Sequence, residues 1–319
     1  MHERGVCVIG NPMDVLLQFP VRKTNKQKQA FREAVHAYAS QLGYSCTVEP
    51  GIFGCQNLVI GDPDSASYLV TAHYDTCAAM PLPNFITPCN VAVYVLYQLA
   101  LYAAIAIAAG IAGGMIALVF GNLELGKILA SVFALALLLL LILGPANRNN
   151  ANDNTSGVVT VLEIARSIPQ NQRSKVCFVL FDLEEAGLIG SASYRKTHRK
   201  ATDRQTVLNL DCVGDGDEIL MFPTKHLKKN NQKLKPIYGC CGYFGKKSLL
   251  VWDKGPSIYP SDQMNFPYAV GIAALKRGKI GLYLNKIHTQ ADTVLEETNV
   301  NILRAAIVSL ICCGAVKKG

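Results

Sequence analysis

The chain has 319 residues, half of them hydrophobic, with 17 % charged residues and a formal net charge of +8. That length suffices for one large domain or two ordinary ones. The positive charge is partly local, in seven lysines from Lys225 to Lys247 and in Arg22, Lys23, Lys26 and Lys28. No interleaved aromatic or Gly-rich RNA-binding pattern accompanies it to support a nucleic-acid reading, so no nucleic-acid partner is expected. What remains is a solvated face or one turned to anionic lipid.

In chain order, Lys26–Leu42 carries apolar residues at helical spacing and stops at Gly43, a plausible helix end. Ser45–Val48, Asn57–Ile60 and Tyr68–Ala72 read as strands, the last two separated by the turn Gly61-Asp62-Pro63. The mean hydropathy of +0.22 is high for a soluble protein, and its source is local. No Asp, Glu, Lys or Arg occurs from Cys77 to Leu123, or again from Ile128 to Asn147. Val91–Phe120 is more than long enough to span a bilayer, for which about 20 apolar residues suffice. Ile128–Leu143 becomes adequate once Leu125 and the Lys127 stem are added. With only Asn122–Gly126 between them, the two segments predict an antiparallel membrane hairpin. The alternative, a pair of core helices, conflicts with their length without a polar face. Gly110 and Gly114 form a GxxxG pair that allows close packing within the hairpin, and a homo-oligomer is left open.

Beyond the hairpin, Val158–Ser167 predicts a helix, Val176–Phe181 and Val207–Leu210 buried strands, Ile280–Leu284 a further strand, and Asn299–Val316 a closing helix. Strands alternating with helices argue for an α/β fold, a mixed and mostly parallel sheet sandwiched by helices, with the membrane hairpin inserted. The eleven cysteines have no regular spacing and no CxxC pair, and Met1–Gly10 lacks the layout of a signal peptide. We therefore expect reduced thiols and a cytoplasmic catalytic part.

The chemistry gathers at strand ends. Tyr68–Ala72 runs into His73-Tyr74-Asp75, Val176–Phe181 into Asp182-Leu183-Glu184-Glu185, and Val207–Leu210 into Asp211, while His288 follows Ile280–Leu284. Ligands bind beyond the carboxyl ends of such strands, so these side chains can share one crevice with Asp153, which lies in a loop opening a helix. Imidazoles with carboxylates suit zinc or a related divalent ion in a hydrolytic site. Asp75 is placed to orient the His73 ring, and the Glu184-Glu185 doublet can divide into a free base and a ligand.

The order His73-Tyr74-Asp75, Asn152-Asp153-Asn154-Thr155-Ser156-Gly157, Glu184-Glu185-Ala186-Gly187 with Gly190-Ser191, Asp211, and His288-Thr289-Gln290-Ala291-Asp292-Thr293 resembles metallopeptidase family twenty-eight. The resemblance covers roughly residues 22–76 and 151–316. It implies a mixed sheet of about eight strands and two zinc ions bridged by Asp153. His73 and Asp211 would complete one site, Glu185 and His288 the other, with Glu184 as general base and Asp75 supporting catalysis. It also implies a cis peptide between Asp153 and Asn154. Ser261-Asp262 resembles a family segment near the substrate pocket, with no ligand role assigned. The expected division is a discontinuous catalytic domain, 1–76 and 151–319, interrupted by the hairpin at 77–150. The expected function is a membrane-anchored di-zinc aminopeptidase acting on peptides and contacting the bilayer through residues 91–143. A non-catalytic receptor or scaffold, a carboxypeptidase or dipeptidase, and a glutaminyl cyclase are the alternatives; Lys276, Arg277 and Lys279 are candidates for a substrate carboxylate pocket.

Overall fold

The computed structural model describes residues 9–313. The sequence readings for residues 1–8 and for 314–316 of the closing helix lie outside the described residues.

Ten strands form one mixed sheet: β1 (Cys46–Pro50), β2 (Gln56–Ile60), β3 (Tyr68–His73), β4 (Val176–Phe181), β5 (Thr206–Leu210), β6 (Glu218–Pro223), β7 (Gly242–Phe244), β8 (Lys247–Val251), β9 (Ala269–Gly278) and β10 (Gly281–Tyr283). The order is β1-β2-β4-β3-β5-β9-β6-β8-β7, with β10 paired to β9. The centre, β4-β3-β5-β9, is parallel. The flanks are largely antiparallel, with β6 and β8 parallel to each other. The count exceeds the eight implied by the resemblance, and the additions include the three-residue strands β7 and β10.

Burial on both faces explains why β4 reads as a continuous apolar run. Val176, Phe178 and Leu180 point into the main core, with the helices Asn25–Gln41, Gly157–Ser167 and Glu297–Cys313. Cys177, Val179 and Phe181 alternate to the other face and pack with Tyr194 of helix Ile189–Thr197 and with Phe266. Because β3, β4 and β5 are parallel, His73, Glu184, Glu185 and Asp211 all emerge at one edge of the sheet. His288 follows the predicted strand at 280–284, as expected. That strand, β10, is short and pairs with β9, and His288 lies in the loop beyond it.

The apolar segments are two antiparallel helices, Val91–Phe120 and Leu123–Leu143. The link is Gly121–Asn122 alone, shorter than expected, because Asn122 caps the second helix through Leu125 N and Gly121 ends the first in the left-handed region. Glu124 and Lys127 therefore sit inside the helix and pair at 2.9 Å. Only 11 % and 6 % of the most apolar windows are buried, so neither helix serves the core. Close approach between them uses Gly113 and Gly126, not the GxxxG pair. A Cβ at Gly113 would lie 2.5 Å from Gly126 O, whereas Gly110 and Gly114 face open space.

The base of the hairpin is clipped shut. Ala78 bridges Ala146, Ala79 N donates to Pro145 O at 2.7 Å, and Asn147 N donates to Cys77 O at 3.0 Å. Lys23 Nζ reaches Ile142 O at 2.8 Å, satisfying one carbonyl of the last turn. The basic cluster at the N-terminus is only partly a surface, with Lys26 exposed and Lys23 half-buried. Arg22 and Lys28 are buried, and so is Lys247 from the second cluster. Lys28 pairs with Asp182 at 2.5 Å, and Arg22 donates to the carbonyls of Tyr74 and Phe19 and to Thr155 Oγ1.

Candidate active site

The loop carrying Asp153 is built from side chains that satisfy a second loop's backbone. Asn152 Oδ1 accepts from Gly214 N and Asp215 N, and Ser156 Oγ accepts from Val213 N. Asn154 Oδ1 accepts from Gly157 N and Cys212 N, while its Nδ2 donates to Leu210 O. These bonds fix Asp153 against the end of β5, just before Asp211. Asp292 completes the frame: its two oxygens accept from Asn152 N at 2.8 Å and Asp153 N at 3.0 Å. Gly157 is required because a Cβ there would collide with Leu210 O and the Asn154 amide. The Asp153–Asn154 peptide is cis, as the resemblance implies.

Five predicted residues converge around Asp153. Its Oδ1 lies 3.3 Å from His73 Nε2, and its Oδ2 lies 3.2 Å from His288 Nε2. Asp211 Oδ1 is 3.6 Å from the same His73 nitrogen, and Glu185 Oε2 is 3.4 Å from His288 Nε2. Donor atoms of Asp153, Glu185, His288 and Cys77 lie within 4.8 Å of one another, as do those of His73, Glu184 and Asp211. Asp75 sits behind them. Its oxygens accept from the backbone N–H groups of Glu184 at 3.1 Å and Glu185 at 3.2 Å. Its Oδ1 also lies 3.5 Å from His73 Nδ1, a contact without hydrogen-bond geometry, since that nitrogen has no partner. Leu183, Cys212 and His288, each beside or within the cluster, hold φ between 54° and 63°, a sparsely populated region for side-chain-bearing residues.

The electrostatics are those of a buried excess of carboxylate. Burial pushes Glu184 well above the usual carboxylate range, with the charges of Glu185, Asp262 and Asp211 adding to it. Burial likewise raises Glu185 to about 8, helped by Asp153. At Asp153 burial acts upward, but the hydrogen bonds and charges of His288 and His73 outweigh it and hold the group low. His288 is raised to about 9 against burial by Glu185 and Asp153. Two imidazoles among five acidic side chains, with Glu185 Oε1 buried and unpartnered, suit divalent cations as the balancing charge. The donor types fit zinc.

The cluster lines a cavity of about 230 Å³, whose rim includes Asn84, Ile86, Tyr259 and Ile287. Ile86 bridges Leu284, and Met80 N donates to His288 O at 2.8 Å, so the segment leading into the hairpin forms one wall. The proposed substrate-carboxylate cations are elsewhere. Lys276 pairs with Asp215 at 2.7 Å and Arg277 with Glu218 at 2.5 Å, and neither they nor Lys279 line the cavity. Several residues escaped the sequence reading: Cys77, Asp292, Arg22 and Tyr259, whose hydroxyl donates to Asp211 O at 2.9 Å. Asp292 stood in a quoted motif without a role, and the others carried no local signal.

The sheet and its helical layers are those of the zinc-exopeptidase class. Residues 140–310 match peptidase family M28, more than half of the chain, and the protein belongs to that family. Its fold is similar to that of the LapA aminopeptidase of Legionella pneumophila, at 14 % identity and a TM-score of 0.54, covering 96 % of this chain and 72 % of that one. It is similar to a glutaminyl cyclase of Porphyromonas gingivalis, at 14 % identity and a TM-score of 0.57, covering 92 % of each chain. A Zn-dependent exopeptidase from Parabacteroides distasonis gives 14 % identity and a TM-score of 0.56, covering 96 % of this chain and 99 % of that one. At such identities the likeness establishes the fold alone. Among curated proteins there is no significant match.

Proposed function

We propose that this chain is a membrane-anchored di-metal exopeptidase, specifically an aminopeptidase, working at the bilayer surface. The observation that carries the reading is the placement of Asp153, whose two oxygens face two different imidazoles. One carboxylate can thereby serve two cation positions, which His73 with Asp211 and Glu185 with His288 would complete. Zinc or a related divalent ion there supplies Lewis-acid polarisation of the scissile carbonyl and an acidified water. Glu184 stands beside His73 and Asp211 as the side chain that would take a proton from the attacking water and return it to the leaving amine. Asp75 acts by position, fixing the Glu184 and Glu185 backbone and facing the His73 ring. The aminopeptidase choice is favoured by the engagement of Lys276 and Arg277 in ion pairs outside the cavity.

The hairpin is proposed as the anchor, residues 77–150, inserted into a discontinuous catalytic domain of 1–76 and 151–319 on the cytoplasmic side. Its exposure and apolarity support this, as does the clipped base that returns the chain to its starting point. Because Asn84 and Ile86 line the cavity only a few residues before the first span, peptides lying at the membrane surface are the natural substrates. The test is zinc-loaded full-length protein incubated with free and N-acetylated peptides, with products identified by mass. Removal of the first residue from the free peptide alone is expected. Shortening of both from the other end indicates a carboxypeptidase. Loss of ammonia from an N-terminal Gln without shortening indicates a cyclase, and no change indicates a receptor or scaffold.

A further inference from the structure

Cys77 is fully buried, yet it belongs to none of the three apolar clusters that make up the core. Packing as a small hydrophobe, the ordinary explanation of a buried cysteine, leaves its polar surroundings unexplained. Its Sγ lies instead within 4.8 Å of one oxygen each of Asp153 and Glu185 and of a His288 ring nitrogen. Another atom of this group, Glu185 Oε1, is buried with no hydrogen-bond partner. The thiol is held there by backbone, through Asn147 N on Cys77 O and the Ala78–Ala146 bridge. Met80 N on His288 O ties the same segment to the histidine's own loop. The thiol and the imidazole are thus fixed relative to each other by short, direct links.

We propose that Cys77 is the fourth protein ligand of the Glu185–His288 cation position. This rests on the reading of the pocket as a metal centre and adds a donor that the resemblance does not supply. On metal uptake the sulfur forms the metal–sulfur bond and the thiol proton is released. Two consequences follow from the chemistry of the donor set. A position with His, Cys and two carboxylates is filled by protein alone, as in structural zinc sites, whereas catalytic sites keep an open place. The reacting water and substrate are then presented from the other position, His73, Asp153 and Asp211, which is also where Glu184 stands. A thiolate ligand also biases this position toward zinc, cobalt or cadmium and away from manganese and magnesium, which prefer all-oxygen sites.

The experiment is cobalt(II) titration of the full-length protein in detergent, reading bound cobalt by elemental analysis and thiolate-to-cobalt charge transfer by near-ultraviolet absorption. The wild type is expected to bind cobalt and show the charge-transfer band. Cys77→Ser should abolish the band and weaken cobalt retention at that position by at least about tenfold, the lower end of what losing even an outer-shell partner costs. Cys212→Ser is the control, because Cys212 lies near Asp153 and Asp211, and it should keep the band. The cadmium-113 resonance of the unaltered protein gives a second reading that needs no variant, a thiolate-shifted signal being expected. Cobalt bound without a band in the wild type overturns the Cys77 assignment and leaves the metal centre standing. A band that survives Cys77→Ser but not Cys212→Ser overturns it too, and failure to bind cobalt at all removes both.

Discussion

Glu184→Gln is the substitution that separates chemistry from structure most cleanly at this site. Glutamine keeps the shape of the side chain and removes only the ability to accept and return a proton. The contacts that position Glu184 are made by its backbone: its N–H donates to Asp75 Oδ1, and its carbonyl accepts from Gly187 N and Leu188 N. None of these changes in the variant. Burial raises the Glu184 pKa, so its ionised form carries a desolvation penalty and its neutral replacement is not expected to destabilise the fold. Loss of a positioned general base typically costs 10²–10⁴-fold, or about 3–5 kcal/mol in the barrier. We expect kcat to fall by that factor, with zinc content by elemental analysis and the melting temperature close to wild type. Near-wild-type turnover would refute the assignment, and so would a loss of metal as large as that of Glu185→Gln.

Glu185→Gln itself should lower metal occupancy measurably, since it removes the charged oxygen nearest His288. Gly113→Leu or Gly126→Leu should loosen the hairpin, because any Cβ there meets the facing backbone at 2.5–2.6 Å; cross-linking between cysteines on the two helices would detect the separation, while Gly110→Leu should leave it unchanged. Asp262 is buried with neither oxygen hydrogen-bonded, and burial raises it from 3.8 to about 7. The folded state therefore binds this proton more tightly than the unfolded one, and stability from this group is full below pH 3.8 and falls as pH rises to about 7. Asp262→Asn should gain over the wild type as pH rises across that window, and thermal melts of the metal-free proteins at acidic and neutral pH that run parallel would refute this. Replacing Val91–Leu143 with a short loop should spare hydrolysis of small soluble peptides while reducing that of bilayer-bound ones, in a vesicle assay comparing the two.

The sequence made the parallel centre and its chemistry readable because both are local. β3, β4 and β5 are apolar runs that stop at His73, Glu184-Glu185 and Asp211, and parallel pairing then brings those ends to one edge. The hairpin was readable for a similar reason, since the absence of charge over each span is a property of the span itself. β9 was not. It is Ala- and Gly-rich where strands usually carry β-branched residues, and the structure explains why: Gly271 lies against the Gln263 amide, which a Cβ would meet at 2.7 Å. Lys28 read as a surface charge because its partner Asp182 is 154 residues away. Cys77 had no signal at all, because its closeness to Asp153 depends on the hairpin bringing Ala146 back beside Ala78.

The central claim is that Asp153 joins two cation positions in one buried centre. Native mass spectrometry of the zinc-reconstituted chain, wild type beside Asp153→Asn, addresses it in a single measurement. Two zinc ions per wild-type chain, with a clear loss in the variant because both imidazoles lose the carboxylate they face, is the predicted result. A wild-type chain that never holds more than one ion, or a variant that still holds two, would contradict it.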